Sequence, residues 1–177
     1  IARALAAQGL GDSDDELRTR LRRWFDVDTL AAPLAHGVVY PGILDLVGGL
    51  HRVMPMVVVT NKPTPLARAV LDAAGVLPFV DGVFGADTAA LRKPAPGMLL
   101  AAAAQLAIAP AQLLMVGDSA PDMQSAHAAG CRAVLVPWGY GHHTLPTWLD
   151  PLRVSGPDEL LQVLLATRGA SEPLFNS

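Results

Sequence analysis

Leu113-Leu114-Met115-Val116-Gly117-Asp118-Ser119-Ala120-Pro121-Asp122 is the stretch that decides the fold. Four apolar residues in succession have strand length and no polar alternation, which marks a strand buried on both faces of a parallel sheet. Gly117-Asp118 ends it. Pro121 sits where a first helical turn tolerates a missing N–H. A helix over 121–129 follows, closed by Gly130.

The same unit recurs on either side. Upstream, a helix over 42–52 precedes the apolar strand Met56-Val57-Val58-Val59, and a helix over 65–74 opens at Thr64-Pro65 and closes at Gly75. A short strand, Gly82-Val83-Phe84, and a helix over 97–107 lead into Leu113. Downstream come the strand Ala133-Val134-Leu135-Val136 and a helix over 158–166. Solid apolar strands alternating with helices predict an α/β fold: a doubly wound parallel sheet with right-handed crossovers. Near Tyr40-Pro41-Gly42 the pattern changes. Residues 1–36 read as helical, with Ser13 and Glu16 at capping-box spacing and Leu17, Leu21, Trp24 and Phe25 at helical spacing. Arg18, Arg20, Arg22 and Arg23 read as a solvated face. The expected organisation is a helical segment over 1–39 and a core domain over 40–177.

Composition narrows the function classes. Of 177 residues, 51% are hydrophobic and 16% charged, with a mean hydropathy of +0.36. That suits a packed core and excludes a disordered chain. The net charge of −3 and a pI near 5.9 argue against a nucleic-acid partner. The longest apolar stretch, Met98 to Pro110, is interrupted by Gln105 and too short to span a bilayer, so no membrane partner is expected. Ile1-Ala2-Arg3-Ala4-Leu5 is not a signal peptide. The single cysteine, Cys131, has no intramolecular disulfide partner and reads as a small buried apolar residue. A cytoplasmic location is expected.

Ligands of such sheets sit beyond the carboxyl ends of the strands. After the first strand come Thr60 and Asn61, just before a helix N-terminus where free N–H groups favour an anion. Both can donate to a phosphate; both can also simply make a turn. Lys93 follows the second strand in Arg92-Lys93-Pro94-Ala95-Pro96, where the prolines stiffen the loop that presents its ammonium. A fixed ammonium suits a phosphoryl group. Asp87 reads as a turn or capping residue. Asp118 and Asp122 straddle the turn after the third strand, and hard divalent ions such as Mg²⁺ take one or two carboxylates with water and substrate phosphate. Asp122 also suits a helix start. His142 and His143, in a Gly-flanked loop, read as solvent-facing.

Thr60-Asn61, Lys93-Pro94 and Gly117 to Asp122, each after a consecutive strand, resemble the second, third and fourth motifs of the haloacid dehalogenase superfamily of phosphohydrolases. Val58–Pro63, Asp87-Thr88 followed by Lys93-Pro94-Ala95-Pro96, and Val116-Gly117-Asp118-Ser119 through Trp138-Gly139-Tyr140 are similar to phosphoglycolate phosphatases, over roughly residues 40 to 165. The resemblance implies a Mg²⁺-dependent phosphatase acting on a small phosphorylated metabolite, with 2-phosphoglycolate favoured. In it Thr60, Asn61 and Lys93 hold phosphate, Lys93 is catalytic, and Asp118 and Asp122 hold Mg²⁺, Asp122 directly or through water. It also implies residues 1–39 as the end of a helical cap that closes over the site.

The superfamily's first motif, an Asp-x-Asp-Gly-Thr segment on a central strand, does not occur here. Asp26-Val27-Asp28-Thr29 lacks the glycine and lies in an apparent helix. By the resemblance, the missing strand lies between those ending at Thr60 and Val116 and carries the aspartate that becomes phosphorylated. Without it the sheet has two buried edges, each unpaired group costing about 1–3 kcal/mol. The natural protein is therefore expected to begin some tens of residues earlier. Three rivals are a sugar-phosphate phosphatase or mutase of the same superfamily, a non-catalytic phosphate-binding module, and a phospho-receiver domain. The last expects its acidic pair before its lysine, whereas Lys93 precedes Asp118.

Overall fold

Three valines and a threonine, Val57–Thr60, form the first strand, β1, in the computed structural model, which describes residues 26–33, 35, 37–139, 141 and 145–169. β-branched side chains favour this extended, packed backbone. Before it runs α1 (Ile43–Leu50). After it come α2 (Thr64–Ala73), β2 (Gly82–Gly85), α3 (Gly97–Gln105), β3 (Leu114–Gly117) and α4 (Ala120–Ala129). β4 (Arg132–Leu135), a two-residue strand β5 (Leu152–Arg153) and α5 (Pro157–Gly169) complete the order. Asp26 to Asp28 lie in a helix over 26–31 and not beside a buried strand, as read from the sequence. Residues 1–25, with the Ser13–Phe25 pattern and the four arginines, lie outside the described residues, as do His142 and His143.

Every pairing is parallel. β1 pairs with β2 from Val57↔Gly82 to Thr60↔Gly85, β3 with β4 from Leu114↔Arg132 to Gly117↔Leu135, and β4 with β5. Both faces of β4 are covered, which explains its unbroken apolar run. Leu135 packs with Leu99 of α3 and Met123 of α4 on one face. Val134 and Val136 pack with Leu46 and Leu50 of α1 and Leu160 of α5 on the other. This is the α/β layering expected from the sequence.

Helix ends follow local rules. α4 closes on Gly130 at φ 71°, with Cys131 N–H donating to Ala126 O at 2.8 Å and Gly130 N–H to His127 O at 3.1 Å. This paired closure satisfies the last carbonyls and needs a left-handed residue, which glycine adopts without strain. α3 ends two residues before the expected 107 because Ala107 takes the same left-handed turn, at φ 54°.

The sheet breaks where the sequence reading placed two unpaired edges. β1 and β3 do not pair, so the strands form a two-stranded and a three-stranded piece. Between them lies a cavity of about 540 Å³, lined in part by Val57 and Val59 of β1 and Leu114 and Val116 of β3. Packed interiors hold few voids larger than a water molecule. α3 packs on β1 and β2 and also against α4, which covers β3 and β4, so it ties the two pieces together.

Candidate active site

The stiff loop between β2 and α3 delivers Lys93 to the rim formed by the ends of β1 and β3. Its Nζ donates to Val59 O at 2.9 Å and to Asp122 Oδ1 at 2.6 Å. Both side chains of this ion pair are nearly enclosed, at 10% and 6% exposure. One ammonium thus joins the carboxyl end of β1 to the first turn of α4. The contact fixes the relative direction of the two sheet pieces: their carboxyl ends share one rim, where a doubly wound sheet binds ligands.

Asp122 is engaged on both oxygens. Oδ1 takes Lys93, while Oδ2 accepts from Ser119 Oγ at 2.6 Å, Ser119 N–H at 3.1 Å and Asp118 N–H at 3.2 Å. An ionised carboxylate has about four lone-pair positions, so these donors leave Asp122 little capacity for a cation. The sequence reading placed Asp122 among the Mg²⁺ ligands. In the structure it is the counter-ion of Lys93 and the clasp of the turn that presents Asp118. Ser119 was not singled out from the sequence. Its signal was there, as an acid three residues after a serine at a helix start.

Asn61 bonds to the main chain of Lys93. Lys93 N–H donates to its Oδ1 at 2.7 Å, and its Nδ2 donates to Lys93 O at 3.1 Å. The amide turns to Lys93 because the main chain of that residue offers one donor and one acceptor side by side. Thr60 stands at the end of β1, and its Oγ1 accepts from Lys62 N–H at 3.2 Å. That bond uses a lone pair and leaves the hydroxyl hydrogen able to donate.

Neighbouring residues hold the loops. Ser125, fully buried in α4, donates from Oγ to Ala95 O at 3.0 Å and pins the Lys93 loop. Asp87 accepts from Thr64 N–H and from Thr64 Oγ1, both at 2.7 Å, and Gly85 N–H donates to Thr64 Oγ1 at 3.0 Å. Asp87 is thus the capping residue read from the sequence. The backbone and hydroxyl bonds from Thr64 hold its carboxyl below the usual range. Burial pushes the Cys131 thiol up, as expected of an apolar-packed cysteine.

Two glycines make room for the acids. A Cβ on Gly117 would meet Asp122 Cβ at 2.5 Å, and a Cβ on Gly139 would collide with the Asp118 side chain. Among the described residues no three His, Cys, Asp or Glu side chains gather as a metal cluster. Mg²⁺ does not need three: one or two carboxylates with water and substrate oxygens suffice. Asp118, half-buried at the tip of β3, is a donor of the right hardness. Asp118 therefore fits Mg²⁺, while the Asp122 oxygens already have protein partners.

Comparison with known proteins identifies the family. The sequence model of the haloacid dehalogenase-like hydrolases matches residues 2–130. The chain belongs to that hydrolase family. It is 43% identical over 145 residues to the phosphoglycolate phosphatase of Rhodospirillum rubrum, covering 79% of this chain and 60% of that protein. The chain thus spans about three fifths of that relative's length. Its fold is similar to that of a predicted phosphoglycolate phosphatase from Haemophilus somnus, with a TM-score of 0.73, 24% identity and coverage of 94% and 73% of the two chains. It is also similar to the Mycobacterium tuberculosis protein tyrosine kinase A, with a TM-score of 0.72, 31% identity and coverage of 92% and 75%.

Proposed function

We propose that this hydrolase is a phosphomonoesterase of small anionic metabolites, with 2-phosphoglycolate as the favoured substrate. The observation that carries the reading is the Lys93 ammonium, bonded at once to the end of β1 and to Asp122 at the rim where Thr60 and Asp118 also stand. The likeness to the phosphoglycolate phosphatase of Rhodospirillum rubrum supports the choice of substrate.

Lys93 contributes positive charge to the phosphoryl oxygens, and Thr60 donates its hydroxyl hydrogen to one of them. Asp122 holds Lys93 in place. Preorganised charge and positioning supply most of the acceleration in phosphoryl transfer. Asp118 would hold Mg²⁺, which when bound supplies Lewis-acid stabilisation of phosphoryl oxygens.

The nucleophile belongs on a strand that enters the cavity between β1 and β3. Support comes from two parallel sheet pieces whose carboxyl ends share a rim, and from the apolar lining of the space between them. In this reading residues 40–177 are a core domain awaiting that strand, and residues 1–39 belong to a cap that shields the site from water. A panel of phosphomonoesters assayed by phosphate release with the full-length protein tests the proposal. Turnover of 2-phosphoglycolate above sugar phosphates supports it. Preference for a sugar phosphate moves the chain to another branch of the family, and phosphate binding without turnover rejects catalysis.

A further inference from the structure

We propose that Asn61 is a positioning residue that sets where Lys93 presents its ammonium, and not a ligand of the substrate phosphate. The inference deepens the phosphatase reading and rests on it only for the importance of Lys93. Both ends of the Asn61 amide are engaged by a single residue: Oδ1 accepts from Lys93 N–H at 2.7 Å and Nδ2 donates to Lys93 O at 3.1 Å. Amide nitrogen and oxygen are easily confused, but here the pattern fixes them. Reversing the group would set Nδ2 against an N–H and Oδ1 against a carbonyl.

The clamp crosses 32 residues of sequence and closes a ring of contacts. β1 holds the Lys93 backbone through Asn61 and the Lys93 side chain through Val59 O, at 2.9 Å. α4 holds the same side chain through Asp122 and the following loop through Ser125 and Ala95 O, at 3.0 Å. A lysine side chain has several rotatable bonds, and fixing it normally costs conformational entropy. Anchoring the backbone at its root and the ammonium at its tip removes that freedom before substrate arrives. For Asn61 to reach a phosphate with the same amide, it would have to release the Lys93 peptide.

The test reads Lys93 directly and needs no turnover. In full-length protein labelled with ¹⁵N-lysine, the Lys93 backbone amide and ammonium signals are assigned as those lost in Lys93→Arg. In Asn61→Ala, the Lys93 amide signal should move upfield as its short bond is lost. Its ammonium protons should exchange up to about tenfold faster, the worth of a typical hydrogen bond or two. Asn61→Asp keeps the acceptor for Lys93 N–H but loses the donor to Lys93 O. It should hold the amide signal in place while the ammonium loosens, a partial rescue that a general loss of stability would not give. Unchanged Lys93 signals in a folded Asn61→Ala overturn the proposal. If that variant does not fold, an unchanged ammonium in Asn61→Asp overturns it. A third arm adds inorganic phosphate to protein labelled with ¹⁵N-asparagine, in which the Asn61 side-chain signals are those lost in Asn61→Ala. A phosphate-induced shift of the Asn61 side-chain signals with Lys93 unmoved by mutation also overturns it. Failure of the phosphatase reading would show as absent turnover and leave the Lys93 signals as they are.

Discussion

Lys93 and Asp122 are the pair on which the rim is built, and their burial makes them sensitive to loss of either partner. Lys93→Met leaves the Asp122 carboxylate, 4% exposed, without its counter-ion. Removing one member of a buried pair typically costs about 3–5 kcal/mol. Here the three donors at Oδ2 remain, so the cost falls near the low end, about 3 kcal/mol, measurable by urea unfolding. Adding Asp122→Leu to that variant should recover part of the loss. A single and a double variant of equal stability would mean that the charge was never the problem.

Asp87 gives a pH signature. Bonds from Thr64 N–H and Oγ1 depress its folded-state pKa below the ordinary value of 3.8. The carboxylate form is therefore the one that folding favours. Its contribution is fully present above the unfolded pKa and is lost as pH falls through the lower folded value. Glu159, held down by Ser155, follows the same sign. Asp87→Asn should lower the melting temperature at pH 7, and the gap from the parent should shrink below pH 4. A gap constant from pH 7 to pH 2 would contradict the capping role.

At the scale of elements, the sequence announced every strand that is apolar along its length. Solid runs such as Val57–Val59 have no other stable placement than a two-faced sheet, so their burial was legible, with ends shifted by about one residue. β5 was not, because Leu152-Arg153 is two exposed residues whose only strand credential is pairing with Val134 and Leu135. The site was half legible. Residue types at strand tips pointed to Thr60, Lys93 and Asp118. Which polar group would turn to protein and which to ligand depended on distances no spacing encodes. Asn61 and Asp122 were captured by the Lys93 peptide and ammonium, partners 32 and 29 residues away.

The joint between elements is equally exacting. Gly85 ends β2 beneath the start of α2, and a Cβ there would collide with the Thr64 backbone N and its hydroxyl. The first is backbone and the second is bonded to Asp87, so relief requires the Thr64–Asp87 cap to move. Gly85→Ala should cost about 1–3 kcal/mol, the usual range for overpacking, and should narrow the pH dependence of stability along with it. Thermal melts at pH 7 and pH 3 measure both; an alanine variant melting like the parent would show that the joint is loose.

On the scale of the whole molecule, two parallel sheet pieces are held in a common direction across an apolar gap by α3, α4 and the Lys93 bridge. The measurement that bears most directly on this account is Mg²⁺-dependent phosphate release from 2-phosphoglycolate by the full-length protein and by its Asp118→Asn variant. The parent should turn over only with Mg²⁺. The variant should lose at least about a thousandfold in rate, equivalent to the several kcal/mol a metal contributes to phosphoryl transfer. Near-parental turnover by Asp118→Asn, or no dependence on Mg²⁺, would contradict the assignment of the rim.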